Sequence, residues 1–150
     1  MTVAQIVVDL ENEPGRLFTV TDAIAAADLN LHALTVTGDH TRGQARMLVD
    51  DAKRARAILM ALDVPARTEE VFVVALPDSP GALRSVLRPI VEASINLLYV
   101  DAFSEVDGRA IAIFRCNDTP AAARILADGG HQTLDLNQIF AQSASSEERA

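Results

Sequence analysis

The stretch "LENEPGRL", Leu10 to Leu17, sets a Pro-Gly pair between an apolar run and a helical one. Before it, "VAQIVVDL" is rich in β-branched residues. After it, "FTVTDAIAAA" continues a pattern that spaces Leu17, Val20 and Ile24 at helical intervals. Pro14-Gly15 therefore marks a strand-to-helix turn. "LPDSPGAL", Leu76 to Leu83, repeats the arrangement, with Pro80-Gly81 sixty-six positions after Pro14-Gly15. A turn that occurs twice is an architectural element.

The repeat extends on both sides of the turn. At the same offset Val7, Val8 and Leu10 fall on Val73, Val74 and Leu76, and Leu17, Val20, Ile24, Ala27, Asn30 and Leu31 fall on identical residues at 83, 86, 90, 93, 96 and 97. "RGQARMLVDD" with "DGRAIAIFRCND", and "ARAILMAL" with "AARILADG", match more loosely. Two copies follow, at 1–69 and 70–140, joined near Thr68 to Val71, with the aperiodic tail 141–150 expected to be disordered.

Periodicity and punctuation give each copy the order strand, helix, strand, strand, helix, strand. In the first copy the strands are expected at about Val3 to Leu10, Asn30 to Gly38, Gln44 to Asp50 and Val64 to Thr68. The first helix runs from about Gly15 to Ala27. The second follows Asp50-Asp51, whose carboxylates suit a helix N-terminus, and ends near Leu62. In the second copy Thr119-Pro120 reads as a capping residue followed by a first-turn proline, and Gly129-Gly130 as a left-handed stop. A βαββαβ unit closes an antiparallel sheet with both helices on one face, so the fold class is α+β with two ferredoxin-like units.

Composition excludes several functions. The 150 residues carry a formal charge of −8 without a compensating basic run, which disfavours nucleic acid and anionic membranes as partners. An RNA reader of this topology stacks bases on sheet aromatics within a basic surface, whereas Tyr99, Phe103 and Phe114 sit in an acidic chain and read as core. The opening "MTVAQIVVDLENEPG" lacks a basic region before a long apolar core, and no apolar run reaches the roughly 18 residues of a membrane span, so a cytoplasmic protein is expected. The lone Cys116 rules out an internal disulfide or a multi-cysteine metal site and reads as a buried strand thiol. His32, His40 and His131 have no spacing that implies a triad or a metal, and pairs such as Glu13 with Arg16 are common on surface loops. No catalytic residue, metal or cofactor is assigned.

"LENEPGRLFTVTDAIAAADLNLHAL" and "LPDSPGALRSVLRPIVEASINLLYV" resemble the opening strand, loop, helix and second strand of ACT domains, small regulatory modules that bind amino acids. With "MLVDDAKRARAIL" and "RCNDTPAAARIL" the likeness covers nearly all of residues 3 to 136 and resembles stand-alone tandem-ACT proteins. The resemblance implies a non-enzymatic regulator. Its effector would sit beside the strand-to-helix loop, often where two ACT units meet. Asn12 matches a loop Asn that touches the amino acid in some members, and Asn30 and Asn96 match a second polar contact. Asp78 replaces the loop Asn in the second copy, and Leu10 and Leu76 stand where some members have His.

The candidate ligand-binding residues are accordingly Asn12, Glu13, Pro14, Gly15, Arg16 and Leu17 in the first loop, Asp78, Ser79, Pro80, Gly81, Ala82 and Leu83 in the second, with Asn30 and Asn96. Glycine would allow close backbone approach, the helix start would offer N–H donors to a carboxylate, and Asn or acidic oxygens would accept from an ammonium group. Each assignment has a structural rival: the glycines permitting the turn, Asp78 and Ser79 capping the helix, the two Asn bonding locally. The first loop is favoured, because Asp78 adds a charge that repels a carboxylate. Expected partners are a free amino acid, a regulated protein and a second copy of the chain, the sheets aligning through an edge strand or first helices within one chain or across a homodimer. The alternative function is a protein-interaction adaptor with a vestigial ligand site.

Overall fold

The computed structural model describes residues 1–11, 13–104, 109–139 and 141. The chain divides into two compact units, one of Ala4–Glu69 and one of Met1–Val3 with the residues from Glu70 onward. Each is a ferredoxin-like βαββαβ unit.

In the first unit β1 (Val3–Glu11) leads through the Pro-Gly turn to α1 (Arg16–Ala26), then β2 (Leu31–Gly38), β3 (Arg42–Val49), α2 (Ala52–Ala61) and β4 (Ala66–Pro77), whose opening residues to Glu69 belong here. The sheet order is β2-β3-β1-β4. Antiparallel pairing sets Ile6 beside Met47 and Val8 beside Ala45, so these four side chains share a face. Val20 and Ile24 of α1 and Ala55 and Leu59 of α2 close over that face in one core. The three-to-four spacing seen in the sequence is thus the buried stripe of each helix. Burying each Val, Ile, Leu or Met of this core stabilises the unit by about 1.5–3 kcal/mol.

In the second unit β4 from Glu70, α3 (Ala82–Glu92), β5 (Leu97–Ser104), β6 (Arg109–Cys116), α4 (Thr119–Asp128) and the two-residue β7 (Thr133–Leu134) repeat the order. The sheet runs β5-β6-β4, with β7 on the other side of β4. Phe72 and Phe114 are register partners whose rings stack at 5.1 Å, and Val86, Ile90, Ala122 and Leu126 pack onto the same core. Cys116 is buried there, as its strand position implied.

The structure corrects several expectations. The first copy's last strand, expected at Val64 to Thr68, begins at Ala66 and runs on without a break through Val71 as β4. Phe103 is 44% exposed rather than core: it pairs with Ile111 on edge strand β5, on the face away from the helices. Helix α4 is capped by Asp118, which accepts the Ala121 N–H, and not by Thr119. The Thr119 hydroxyl is buried and closes onto the Cys116 backbone instead. Asp51 does cap α2, accepting the Arg54 N–H, and Gly130, with φ 82°, supplies the left-handed stop after α4. Residues 136–139 form a helical turn opened by a reciprocal box in which Asp135 and Gln138 each accept the other's N–H, a D-x-x-Q signature legible in "DLNQ". In the expected tail, Ala141 is helical and 142–150 lie outside the described residues.

Replacing either capping carboxylate, Asp51→Ala or Asp118→Ala, should lower stability by about 1 kcal/mol in urea unfolding, because each leaves a first-turn N–H without its acceptor.

Candidate functional site

The two Pro-Gly turns are built alike, bond for bond. In the first, the Glu13 N–H reaches the Glu11 carbonyl at 2.8 Å and the Arg16 N–H the Glu13 carbonyl at 3.3 Å; in the second, Ser79 reaches Pro77 at 2.9 Å and Ala82 reaches Ser79 at 3.2 Å. Gly15 and Gly81 end the turns at φ 89° and 86°, a left-handed conformation that side-chain-bearing residues adopt at a cost. A Cβ at either glycine would meet nothing within 4 Å. Glycine is therefore dictated by the backbone angle and not by crowding, and the space beside it is open.

These glycines are also the N-caps of α1 and α3. A glycine has no side chain to accept a first-turn N–H, and neither helix has an acidic residue in its first turn. Helices α2 and α4, by contrast, are capped by Asp51 and Asp118. Asp78 and Ser79 do not take the capping role that was open to them, since the cap position is Gly81. The partial positive charge of α1 and α3 thus points into the turns uncompensated by a cap.

The first turn borders a cavity of about 820 Å³, within the range of small-molecule sites. Pairing of Glu11 with Arg42 and of Leu10 with Gly43 brings the end of β1 beside the β2–β3 hairpin, and the α2–β4 turn closes the third side. Leu10 and Val20 give it an apolar wall. Thr37, Asp39, Arg42 and Gln44 enter from the hairpin side, and Asp63 and Pro65 from the α2–β4 turn.

The charges around this cavity differ in how they are satisfied. Arg16 pairs with Glu11 at 2.8 Å and reaches Glu13 at 3.5 Å on an exposed surface, worth under about 1 kcal/mol. Asp9 accepts from Gln44 at 3.1 Å and Arg67 at 2.8 Å. Asp39 folds back on its hairpin and accepts the N–H groups of Thr41 and Arg42 and the Thr41 hydroxyl, bonds that hold its carboxyl at about 2 against an ordinary 3.8. Arg42 and Asp63 have no ion-pair partner among the described residues. Asp63 itself sits at φ 57°, one of three non-glycine residues in the left-handed region among the described residues.

Of the residues expected from sequence, Arg16 lines this cavity, while Glu13, Pro14 and Gly15 form the exposed turn above it and Leu17 packs against the core. Asn12 lies outside the described residues. Asp78, Ser79, Pro80, Gly81, Ala82 and Leu83 form the corresponding turn of the second unit, where Pro77, Ser79 and Ala82 stand in place of Glu11, Glu13 and Arg16. Asn30 is not brought to the loop: it precedes β2, about 25 Å of strand from the Gly38 end that borders the cavity. There its N–H donates to Asp50 at 2.7 Å and its side-chain oxygen accepts from Leu31. Asn96 is held similarly, its N–H donating to the side chain of Asn117. His32, with a side chain only 5% exposed, completes the Asn30 cluster through a 2.6 Å contact to Asp50, and this bond and the Asn30 N–H hold the Asp50 carboxyl below its ordinary value. Sequence reading missed Arg42, Gln44 and Asp63. The signal for the hairpin pair was the register that "GDHTRG" imposes, which places Arg42 opposite the end of β1.

No cluster of potential metal ligands occurs among the described residues, and no described helix is long and apolar enough to cross a membrane. A family model described as an ACT domain pair matches residues 1–138. Among solved structures the chain is similar to protein BT0572 from Bacteroides thetaiotaomicron, at 25% identity and TM-score 0.87, covering 93% of this chain and 96% of that one. It also resembles the regulatory subunits of aspartate kinase from Thermus thermophilus, in a ligand-free form, and Thermus flavus. Their identities are 16% and 17% and their TM-scores 0.60 and 0.61; each match covers 85% of this chain, with 96% and 94% of the respective subunits. At that identity the Thermus proteins speak to the fold alone. No curated protein matches the chain.

Two measurements test this geometry. Gly15→Ala and Gly81→Ala should each cost about 1–2 kcal/mol, from backbone strain alone, since the added methyl has room. Because the folded-state pKa of Asp39 is depressed, its stabilisation should be complete above the ordinary carboxylate value of 3.8 and be lost as pH falls through about 2. Asp39→Ala should remove that part of the acid limb and leave the rest of the pH–stability curve in place.

Proposed function

The chain belongs to the ACT domain pair family, and from that premise we propose that it is a non-enzymatic regulatory protein, built of ACT-like domains at 1–69 and 70–140, that binds a free amino acid in the first unit's cavity. One observation carries the reading: a helix start without a side-chain cap, and a guanidinium and a carboxylate that form no salt bridge among the described residues, border one cavity of ligand size. An amino acid is a zwitterion. Its carboxylate would take Arg42 beside the positive end of α1, and its ammonium group would take Asp63, with Asn12 as the further contact carried over from the family resemblance. Leu10 and Val20 offer the apolar wall for an aliphatic stem. The second turn keeps the backbone but lacks the charged set, which favours one occupied loop rather than two.

Regulation would then be a population shift. Ligand bound with different affinity to two arrangements of the chain biases them and so changes what a regulated protein partner meets. The Thermus structures, named as regulatory subunits, share the fold on which this reading is built.

The test is a calorimetric and thermal-shift titration of the purified chain with each common amino acid. At a hundredfold excess over Kd, a true ligand should raise stability by about 2.7 kcal/mol. Arg42→Ala should weaken binding roughly tenfold or more and Asp63→Ala by a similar factor, while Arg84→Ala in the second unit leaves it unchanged. Silence across all amino acids would favour the adaptor reading, and affinity indifferent to Arg42, Asp63 and Asn12 would move the site elsewhere.

A further inference from the structure

Helix α3 carries an apolar ridge that its own core does not use. Val86 and Ile90 are buried, whereas Leu83, Leu87 and Val91 recur every four residues along the adjoining flank. Leu83 and Val91 are 37% and 70% exposed, and Leu87 is only partly covered. Beside this ridge runs a second line with the same spacing, Arg84, Arg88 and Glu92, all exposed, and the six residues border one shallow depression. The duplication provides an internal comparison. The corresponding ridge positions of α1 are Leu17, Thr21 and Ala25, with the Thr21 hydroxyl turned back to the Leu17 carbonyl, and Phe18 stands where α3 has Arg84. The aliphatic ridge flanked by charge belongs to the second unit alone.

We propose that this ridge is the surface through which two copies of the chain pair, α3 against α3 in antiparallel orientation. A two-fold contact must be self-complementary, each residue meeting the one related to it through the axis. With the axis beside Leu87, Leu87 meets Leu87 and Leu83 meets Val91 of the second copy, so the apolar line closes on itself. On the flank, the same axis sets Arg84 against Glu92 of the second copy, and does so twice. A parallel two-fold would put the two charged lines on opposite sides of the ridge, where Arg84 could not reach Glu92 of the second copy. The two Arg88 fall near the axis, where their long stems let the charged heads run out to solvent. The order Arg84, Arg88, Glu92 is thus complementary to its own reversal, a property that an unrelated partner would not require, and it selects a second copy as the occupant.

Sedimentation equilibrium of the full chain over a range of concentrations tests this. The expected result is a reversible monomer–dimer equilibrium that Val91→Glu weakens roughly tenfold or more, by burying a charge on the ridge, with the thermal melt of the dilute monomer little changed because Val91 is 70% exposed in its own unit. Glu92→Arg alone should also weaken the dimer, and Arg84→Glu combined with Glu92→Arg should restore it by re-forming both pairs with reversed sign. A chain that stays monomeric to about millimolar concentration overturns the proposal. So does a dimer indifferent to Val91→Glu, or a double charge reversal no better than Glu92→Arg alone. None of these outcomes depends on amino-acid binding.

Discussion

The backbone angle at two glycines governs the arrangement of everything that follows them. At φ near +90° the chain leaves its strand, reverses, and starts a helix within a few residues, so that the helix runs back across the sheet it has just left. Only then do Val20 and Ile24 land on Ile6 and Val8, and Val86 and Ile90 on Phe72 and Val74. The same angle leaves the helix start without a capping side chain, because the residue that tolerates the conformation is the one that has none. Packing and an exposed set of N–H donors therefore arise from a single conformational requirement.

Duplication preserved that requirement and little else at the surface. The two turns share their hydrogen bonds to within a few tenths of an ångström, yet Glu11, Glu13 and Arg16 in one become Pro77, Ser79 and Ala82 in the other. Backbone geometry cannot drift without unfolding the unit, whereas exposed side chains can, and in this chain they have done so in opposite directions. The first unit concentrates charge around a cavity at its turn. The second has instead gathered an aliphatic line along the flank of its first helix.

How much of this could be read from sequence depends on the range of the interaction involved. The strands, helices and repeat were legible because apolar periodicity and the Pro-Gly turn are local and occur twice. Asp51 as a cap was legible for the same reason. Asp118 was overlooked in favour of Thr119 because both are good caps and Pro120 suits either choice; the buried contact of the Thr119 hydroxyl with Cys116 decided it, and that contact needs the end of β6 in place. Phe103 was misjudged because alternation tells which residues share a face but not that β5 is an edge. Arg42 and Asp63 reach the cavity through strand register and a turn from a distant part of the chain, so residue type alone did not single them out. Asn30 and Asn96, aligned by the repeat, stand at the opposite end of their strands, where their backbone N–H groups donate to the side chains of Asp50 and Asn117.

The single thiol gives the molecule a built-in clock for one of its halves. Cys116 is buried in the core of the second unit, and burial, with the Asp118 carboxylate nearby, pushes its pKa up, so it is both hidden from reagents and a poor nucleophile while that unit is closed. A disulfide reagent can modify it only when β6 and α4 part. Since the other half has no cysteine, the labelling rate follows the opening of this half alone. How often the second half opens is thus written into the chemistry of one sulfur atom, readable on the native chain without adding a probe.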